Sequence, residues 1–187
     1  MPKIEEELEG LPPKSIVLFE IPIEEDQMRL TASFLKFRRN DNGIYVSSNR
    51  PANDLVEKLQ TYNFDLGNAL EAGRICVIDL VSRGVGANEV NGCLYAPSPS
   101  ELSAAQMAIE KAFERVKGEG GKMWLLLDSI STLLVFNSPG ALLQFLHFLI
   151  SRLRVLQFNG AIFTVEGSVD EKVLSTIRQF CDRMIKL

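Results

Sequence analysis

Two places in this chain carry candidate functional residues: Asp128, which caps the C-terminal end of the apolar run Met123–Leu127, and the stretch Phe19–Met28, FEIPIEEDQM, which sits where a phosphate-binding turn would be. The second follows Ser15–Leu18, which reads as a buried strand, and precedes Met28, Leu30, Phe34, Leu35 and Phe37 at helical spacing. A strand, tight turn and helix in that order hold phosphate when glycines let the backbone fold around it. A lysine then neutralises charge and a Ser or Thr holds magnesium. Here Ile21 falls where the first glycine would be, and Asp26, Gln27 and Met28 fall where Gly-Lys-Ser/Thr would be.

Charge makes the substitution more than a loss. Glu24, Glu25 and Asp26 are expected in the first turn of the helix, where a phosphate would otherwise sit. Two like unit charges ~6 Å apart repel by roughly 0.7 kcal/mol in water and ~3 kcal/mol at an intermediate effective dielectric. These carboxylates are therefore expected to meet the positive helix end themselves, so that Asp26→Asn should lower stability. Asp26 and Asp128, with a neighbouring glutamate, are also the candidates for a divalent cation held without nucleotide, because hard cations favour clustered carboxylates. The expectation is nevertheless of no metal and no other cofactor.

A different site would lie along the C-terminal ends of the strands, where open α/β sheets usually bind ligands. Its lining would be Ser47, Ser48, Asn49, Asp79, Arg83 and Asp128, with residues 82–97 as a lid. No nucleophile and base are visible together in this set. The single histidine, His147, falls on the polar stripe of a helix and reads as a surface residue. Cys76, Cys93 and Cys181 are odd in number and widely spaced, without a CxxC, which argues against both a zinc site and a disulfide framework.

The elements that must position these residues alternate. After a charged lead-in over residues 1–14, expected to be at best partly ordered, a single domain spans 15–187. The first helix runs from about Glu24 to Arg39 and stops at Asn40-Asp41-Asn42-Gly43, a turn tolerant of positive φ. Strand Ile44–Ser47 and a helix opened by Pro51 and reaching Tyr62 come next, then a strand over Arg74–Leu80 whose continuous apolar run Ile75–Ile78 is of the type covered on both faces. Residues 82–97 read as a long loop. Ser98-Pro99-Ser100-Glu101 and Ser168–Glu171 read as capping boxes, opening helices to about Lys117 and Arg183. Gly118, Gly120 and Gly121 end the first of these. Between them lie strand Met123–Leu127, a helix from Pro139 to Gln157, and strand Ala161–Val165; Met184–Leu187 forms a last short strand. This is a three-layer α/β/α architecture with a mostly parallel sheet.

The helix from Pro139 carries an unusually wide apolar arc. Leu142, Leu146, Leu149, Leu153 and Leu156 form one stripe, and Phe145, Phe148 and Val155 a second. The second stripe supplies the interface candidates, alongside the alternative that the helix is wedged between the sheet and its neighbours. With 46% hydrophobic and 24% charged residues, 187 residues suffice for one well-buried core. No apolar run approaches the ~20 residues of a membrane span, and the acidic N-terminus lacks a signal-like apolar region, so a cytoplasmic location is expected. A net charge of −4 disfavours nucleic acid. The one basic cluster, Lys36-Phe37-Arg38-Arg39, reads as a favourable helix C-terminus.

Laid end to end, four pieces resemble the RecA/KaiC-like ATPase superfamily, especially its archaeal members of uncertain role. Leu11–Leu18 looks like the family's entry into the phosphate-loop strand, and Gly43–Ser47 followed by Pro51 like its second strand. Leu125-Leu126-Leu127-Asp128-Ser129 resembles its Walker B strand, and Cys181–Leu187 its late helix-to-strand junction. The resemblance covers about Leu8–Leu187. It implies a RecA-like P-loop NTPase fold with spatial strand order 3-2-4-5-1-6, counting six strands along the chain and stopping before the family's final antiparallel strands. It also implies a degenerate Walker A at Ile21, Asp26, Gln27 and Met28, with Asp128 as a Walker B remnant. Where the family places glutamates that polarise water, this chain has Ser48, Asn49 and Arg50, none of which can act as that base. The resulting expectation is a pseudo-ATPase that does not hydrolyse ATP and works by assembling with protein, as a homo-oligomer or beside a RecA-like paralogue. The alternative is a small-ligand protein or enzyme using a non-ATP site at the strand ends.

Overall fold

The computed structural model describes residues 4–116 and 122–187. Seven strands form one sheet: β1 (Ile16–Ile21), β2 (Asn42–Ser47), β3 (Ile75–Asp79), β4 (Leu94–Tyr95), β5 (Met123–Asp128), β6 (Asn159–Val165) and β7 (Arg183–Lys186). Their spatial order is β4-β3-β2-β5-β6-β1-β7, and every pairing is parallel. The expected order of six is reproduced, with one addition. Leu94 and Tyr95, placed in a loop by the sequence, add an edge strand against Ile78 and Asp79.

Alternation of side chains along each strand divides the core into two layers. Val17, Phe19, Tyr45, Val77, Trp124, Leu126 and Phe163 point to one face, covered by α1 (Ile4–Glu9), α2 (Gln27–Phe37), α3 (Ala52–Thr61) and α4 (Leu66–Glu71). Ile16, Leu18, Ile44, Val46, Ile78, Leu125, Leu127 and Ile162 point to the other. That face is covered by α6 (Leu102–Arg115), α7 (Ile130–Phe136), α8 (Pro139–Leu156) and α9 (Glu171–Phe180). A strand packed on both faces has no use for polar alternation, which is why these strands read as continuous apolar runs.

Several boundaries differ from expectation. Part of the lead-in forms α1, because Ile4 and Leu8, one helical turn apart, are buried in the core on the α2 side of the sheet. α2 begins only at Gln27. Glu24 and Glu25 precede it, in a turn closed by Glu25 N–H donating to Pro22 O at 3.0 Å, and Asp26 is the N-cap. Neither capping box forms. Glu101 and Asp170 take the N-cap positions, while Ser98 Oγ pairs with Ser100 and Ser168 Oγ donates to Val165 O. The expected end of that first helix at Lys117 and the glycines after it lie outside the described residues. Gly43 is not a turn residue. It sits in β2 opposite Trp124, and a Cβ there would lie 2.1 Å from the indole.

The helices α4 and α7, and α5 (Ser82–Val85) within the expected loop, carry no periodic signal long enough to read in sequence. No helix among the described residues is long and apolar enough to cross a membrane.

Candidate functional site

β1, β2 and β5 end at one edge of the sheet, and the segments after them enclose a cleft of 540 Å³. From the β1–α2 turn come Glu25, Asp26, Gln27 and Met28; from the end of β2 come Asn49 and Arg50; from β5 comes Asp128. The sequence candidates Asp26, Gln27, Met28 and Asp128 are therefore brought together. Ile21 is not with them, being the buried last residue of β1.

Asp26 does at the helix start what a phosphate would do. Its Oδ1 accepts the backbone N–H of Met28 at 3.0 Å and of Arg29 at 3.3 Å, and its Oδ2 accepts the hydroxyl of Tyr62. The Tyr62 hydrogen bond, aided by the two amides and by Arg29, holds its carboxyl below the usual aspartate range against the opposing effect of partial burial. Glu25 is ion-paired with Arg29. The amides of Met28 and Arg29 at the helix start are thus already used by Asp26.

Gln27 reaches across the cleft and donates its amide to Asp128 Oδ1. Asp128 is 1% exposed and also accepts Tyr45 Oη–H at 2.7 Å and Asn49 Nδ2–H at 3.2 Å; Thr132 Oγ1 in turn donates to Asn49 Oδ1. Burial raises the Asp128 carboxyl above its ordinary value, and the bonds from Tyr45 and Asn49 and the charge of Arg50 only partly offset this. Burial, followed by the neighbouring Asp128 charge, pushes the Tyr45 hydroxyl well above its usual range. The floor of the cleft is thus a closed polar network. Tyr45 was not singled out in sequence, although a tyrosine within a buried strand carries a hydroxyl that must find a partner.

The alternative strand-end set is only partly assembled. Asn49 and Asp128 line the cleft. Ser47 Oγ donates to Arg50 O at 2.8 Å, and Ser48 Oγ donates to Asp128 O at 2.7 Å while accepting Ser129 N–H at 2.8 Å, so both serines fasten the loop. Asp79 is consumed by structure: its carboxylate accepts N–H from Ala52, Val81 and Ser82 and the Ser82 hydroxyl, at 2.5–2.8 Å. Arg83 points away to Glu89 at 3.0 Å. For a metal, Asp26 and Asp128 are already committed to protein donors, and no cluster of three or more His, Cys, Asp or Glu suited to a metal occurs among the described residues.

Of the interface candidates, Phe145 is corrected outright: at 1% exposure it packs inside the core between sheet and helices. Phe148 is half-buried, and Val155 is 71% exposed. His147 is exposed, with its ring edge-on to Phe180 at 5.4 Å.

A family model described as "Family of unknown function (DUF7504)" matches residues 22–187. The chain belongs to this family. No curated protein matches this DUF7504 member. Among solved structures, it is similar to the KaiC-like protein PH0186 from the hyperthermophilic archaeon Pyrococcus horikoshii OT3, with TM-score 0.72 and 16% identity over 95% of this chain and 74% of that one. It is also similar to the uncharacterized protein PH0321 from Pyrococcus horikoshii, solved in complex with an unknown peptide, with TM-score 0.70 and 20% identity over 98% and 81% of the two chains. At these identities the likeness shows the fold, which is KaiC/RecA-like.

Proposed function

We propose that this DUF7504 domain is a RecA-like scaffold that does not hydrolyse nucleotide and acts by binding protein, either a second copy or a RecA-like paralogue. The observation that carries the proposal is the use of Asp26 as an internal anion on the Met28 and Arg29 amides. Gln27 is hydrogen-bonded to Asp128 where a cation would be needed. A polyphosphate would have to displace a carboxylate already in place and then face Glu25 beside it, with no lysine to offset either.

The binding half of the reading is supported by α8, where exposed Val155 and half-buried Phe148 are apolar residues outside the buried stripe of Leu142, Leu146, Leu149 and Leu153. The peptide held by PH0321, a fold relative, is consistent with a scaffold that takes protein. Amide NMR of the full chain titrated with magnesium and ATP tests the first half. The Gln27, Met28 and Arg29 signals should stay in place, and a saturating shift there would refute it. Light scattering on the eluting protein tests self-assembly, and a monomer at all concentrations would leave only a heterologous partner.

The 540 Å³ cleft favours a second reading, a small-ligand protein or enzyme with a non-ATP ligand at the strand ends. That ligand would have to bond to groups that already bond to one another, which makes this the weaker of the two.

A further inference from the structure

We propose that a second, basic pocket, at the opposite end of the sheet from the cleft, binds a small phosphate-bearing anion. The basic residues that read in sequence as a helix terminus acquire there a partner from far along the chain. Lys36 lies in the last turn of α2, Arg39 just beyond it, and Arg74 immediately before β3; all three line a cavity of 350 Å³. Arg74 Nη1 donates to the Arg39 carbonyl oxygen at 2.8 Å, which ties its guanidinium to the backbone just beyond α2.

Seven arginines elsewhere each sit against a carboxylate. Lys36, Arg39 and Arg74 pair with no acid among the described residues. Arg115 and Arg183 also lack an acidic partner among the described residues; what Lys36, Arg39 and Arg74 share besides is one cavity. Three unpaired like charges around one cavity repel one another, in a chain whose net charge is −4. An anion placed between them removes that repulsion, and guanidinium forks suit the tetrahedral oxygens of phosphate.

The opposite wall defines the rest of the ligand. Asn63, held at φ 58° in the turn after α3, brings its amide and the neighbouring Phe64 to the rim. Asp65 accepts the Asn68 N–H at 2.9 Å as the N-cap of α4 and ion-pairs with none of the cations; its carboxylate offsets one of the three charges and leaves the lining net positive. The pocket therefore has three cations, one carboxylate, an apolar ring and two side-chain amides, in a volume within the range of small-molecule sites, roughly 300–1,000 Å³. A phosphate attached to a compact organic group fits that description. The source of the phosphate is either a soluble solute or a lipid headgroup.

The test uses the full chain. Isothermal titration with inorganic pyrophosphate at low salt should show saturable binding that weakens as salt is added. Lys36→Gln and Arg39→Gln should each lower the affinity by about tenfold or more, the usual effect of losing one charge-assisted contact. Lys36 is exposed and holds no other described element, so its variant keeps the test valid if an Arg74 change were to disturb the fold. Co-sedimentation with phosphatidylcholine vesicles containing phosphatidic acid separates the sources. Capture that the two variants abolish assigns the headgroup, and pyrophosphate binding without capture assigns a soluble ligand. The proposal is overturned if neither probe binds above chloride at equal ionic strength, or if both variants bind like the parent. The outcome is independent of the cleft, because nucleotide bound here would leave the Met28 and Arg29 amides unmoved and would be lost in Arg39→Gln.

Discussion

Removing the Asp26 carboxylate should cost stability in two separable parts. Asp26→Ala deletes the acceptor for two backbone N–H groups, at 3.0 and 3.3 Å, and for the Tyr62 hydroxyl. Loss of an N-cap aspartate costs ~1 kcal/mol, within a range of about 0.5–2 kcal/mol. Solvent exposure of the side chain keeps the Tyr62 contribution small, so the total should lie between about 1 and 2 kcal/mol. In a domain of this size that lowers Tm by roughly 2–8 °C. Asp26→Asn keeps an acceptor for the amides and loses only the charge, worth about 0.3–1 kcal/mol at a helix N-terminus.

The pH dependence separates charge from geometry. The folded carboxyl lies below its unfolded value near 3.8, so its charge stabilises the protein fully above that value. The stabilisation is lost as pH falls through the lowered folded value. Urea melts of parent and Asp26→Asn between neutral pH and the acid limit of folding should therefore diverge at neutral pH and converge in acid. A pH-independent difference, or an Asp26→Ala variant as stable as the parent, would refute the role given to Asp26 as an internal anion.

Other outcomes follow from the same structure. Asp128→Ala strands the donors of Tyr45, Gln27 and Asn49 and should cost about 3 kcal/mol or more in a denaturant melt, while Asp128→Asn, still an acceptor, should cost less. Because burial raises the folded Asp128 carboxyl, its contribution should decline as pH climbs from 3.8 through that raised value, a slope absent from Asp128→Asn. Gly43→Ala drives a methyl into the Trp124 indole and should cost at least about 1–3 kcal/mol with a change in the single tryptophan's fluorescence; Gly140→Ala, with nothing within 4 Å, should show neither. Phe145→Ala should cost about 3–5 kcal/mol by cavity formation. Val155→Asp should change stability by less than about 0.5 kcal/mol yet reduce any self-association seen by light scattering.

The amino-acid sequence by itself determined the layer architecture, while the order of the six principal strands came from the resemblance to the RecA/KaiC-like family and was met by the structure. Continuous apolar runs such as Ile75–Ile78 can be satisfied only between two helical layers, and parallel strands need crossover helices. It also placed Asp26, Gln27 and Asp128 at one edge, because strand ends and the residues after them are local properties of the pattern. What tertiary structure alone decided are the contacts between residues distant in the chain. Tyr45 and Gln27 converge on Asp128, the Ala52 amide reaches Asp79, Phe145 is sealed inside while Val155 is not, and Arg74 joins Lys36 and Arg39. The same side chain can be a solvated charge, a cap or a pocket wall, and only the positions of its neighbours select among them. Periodicity reports which face a residue occupies and carries no information about which residues it meets there.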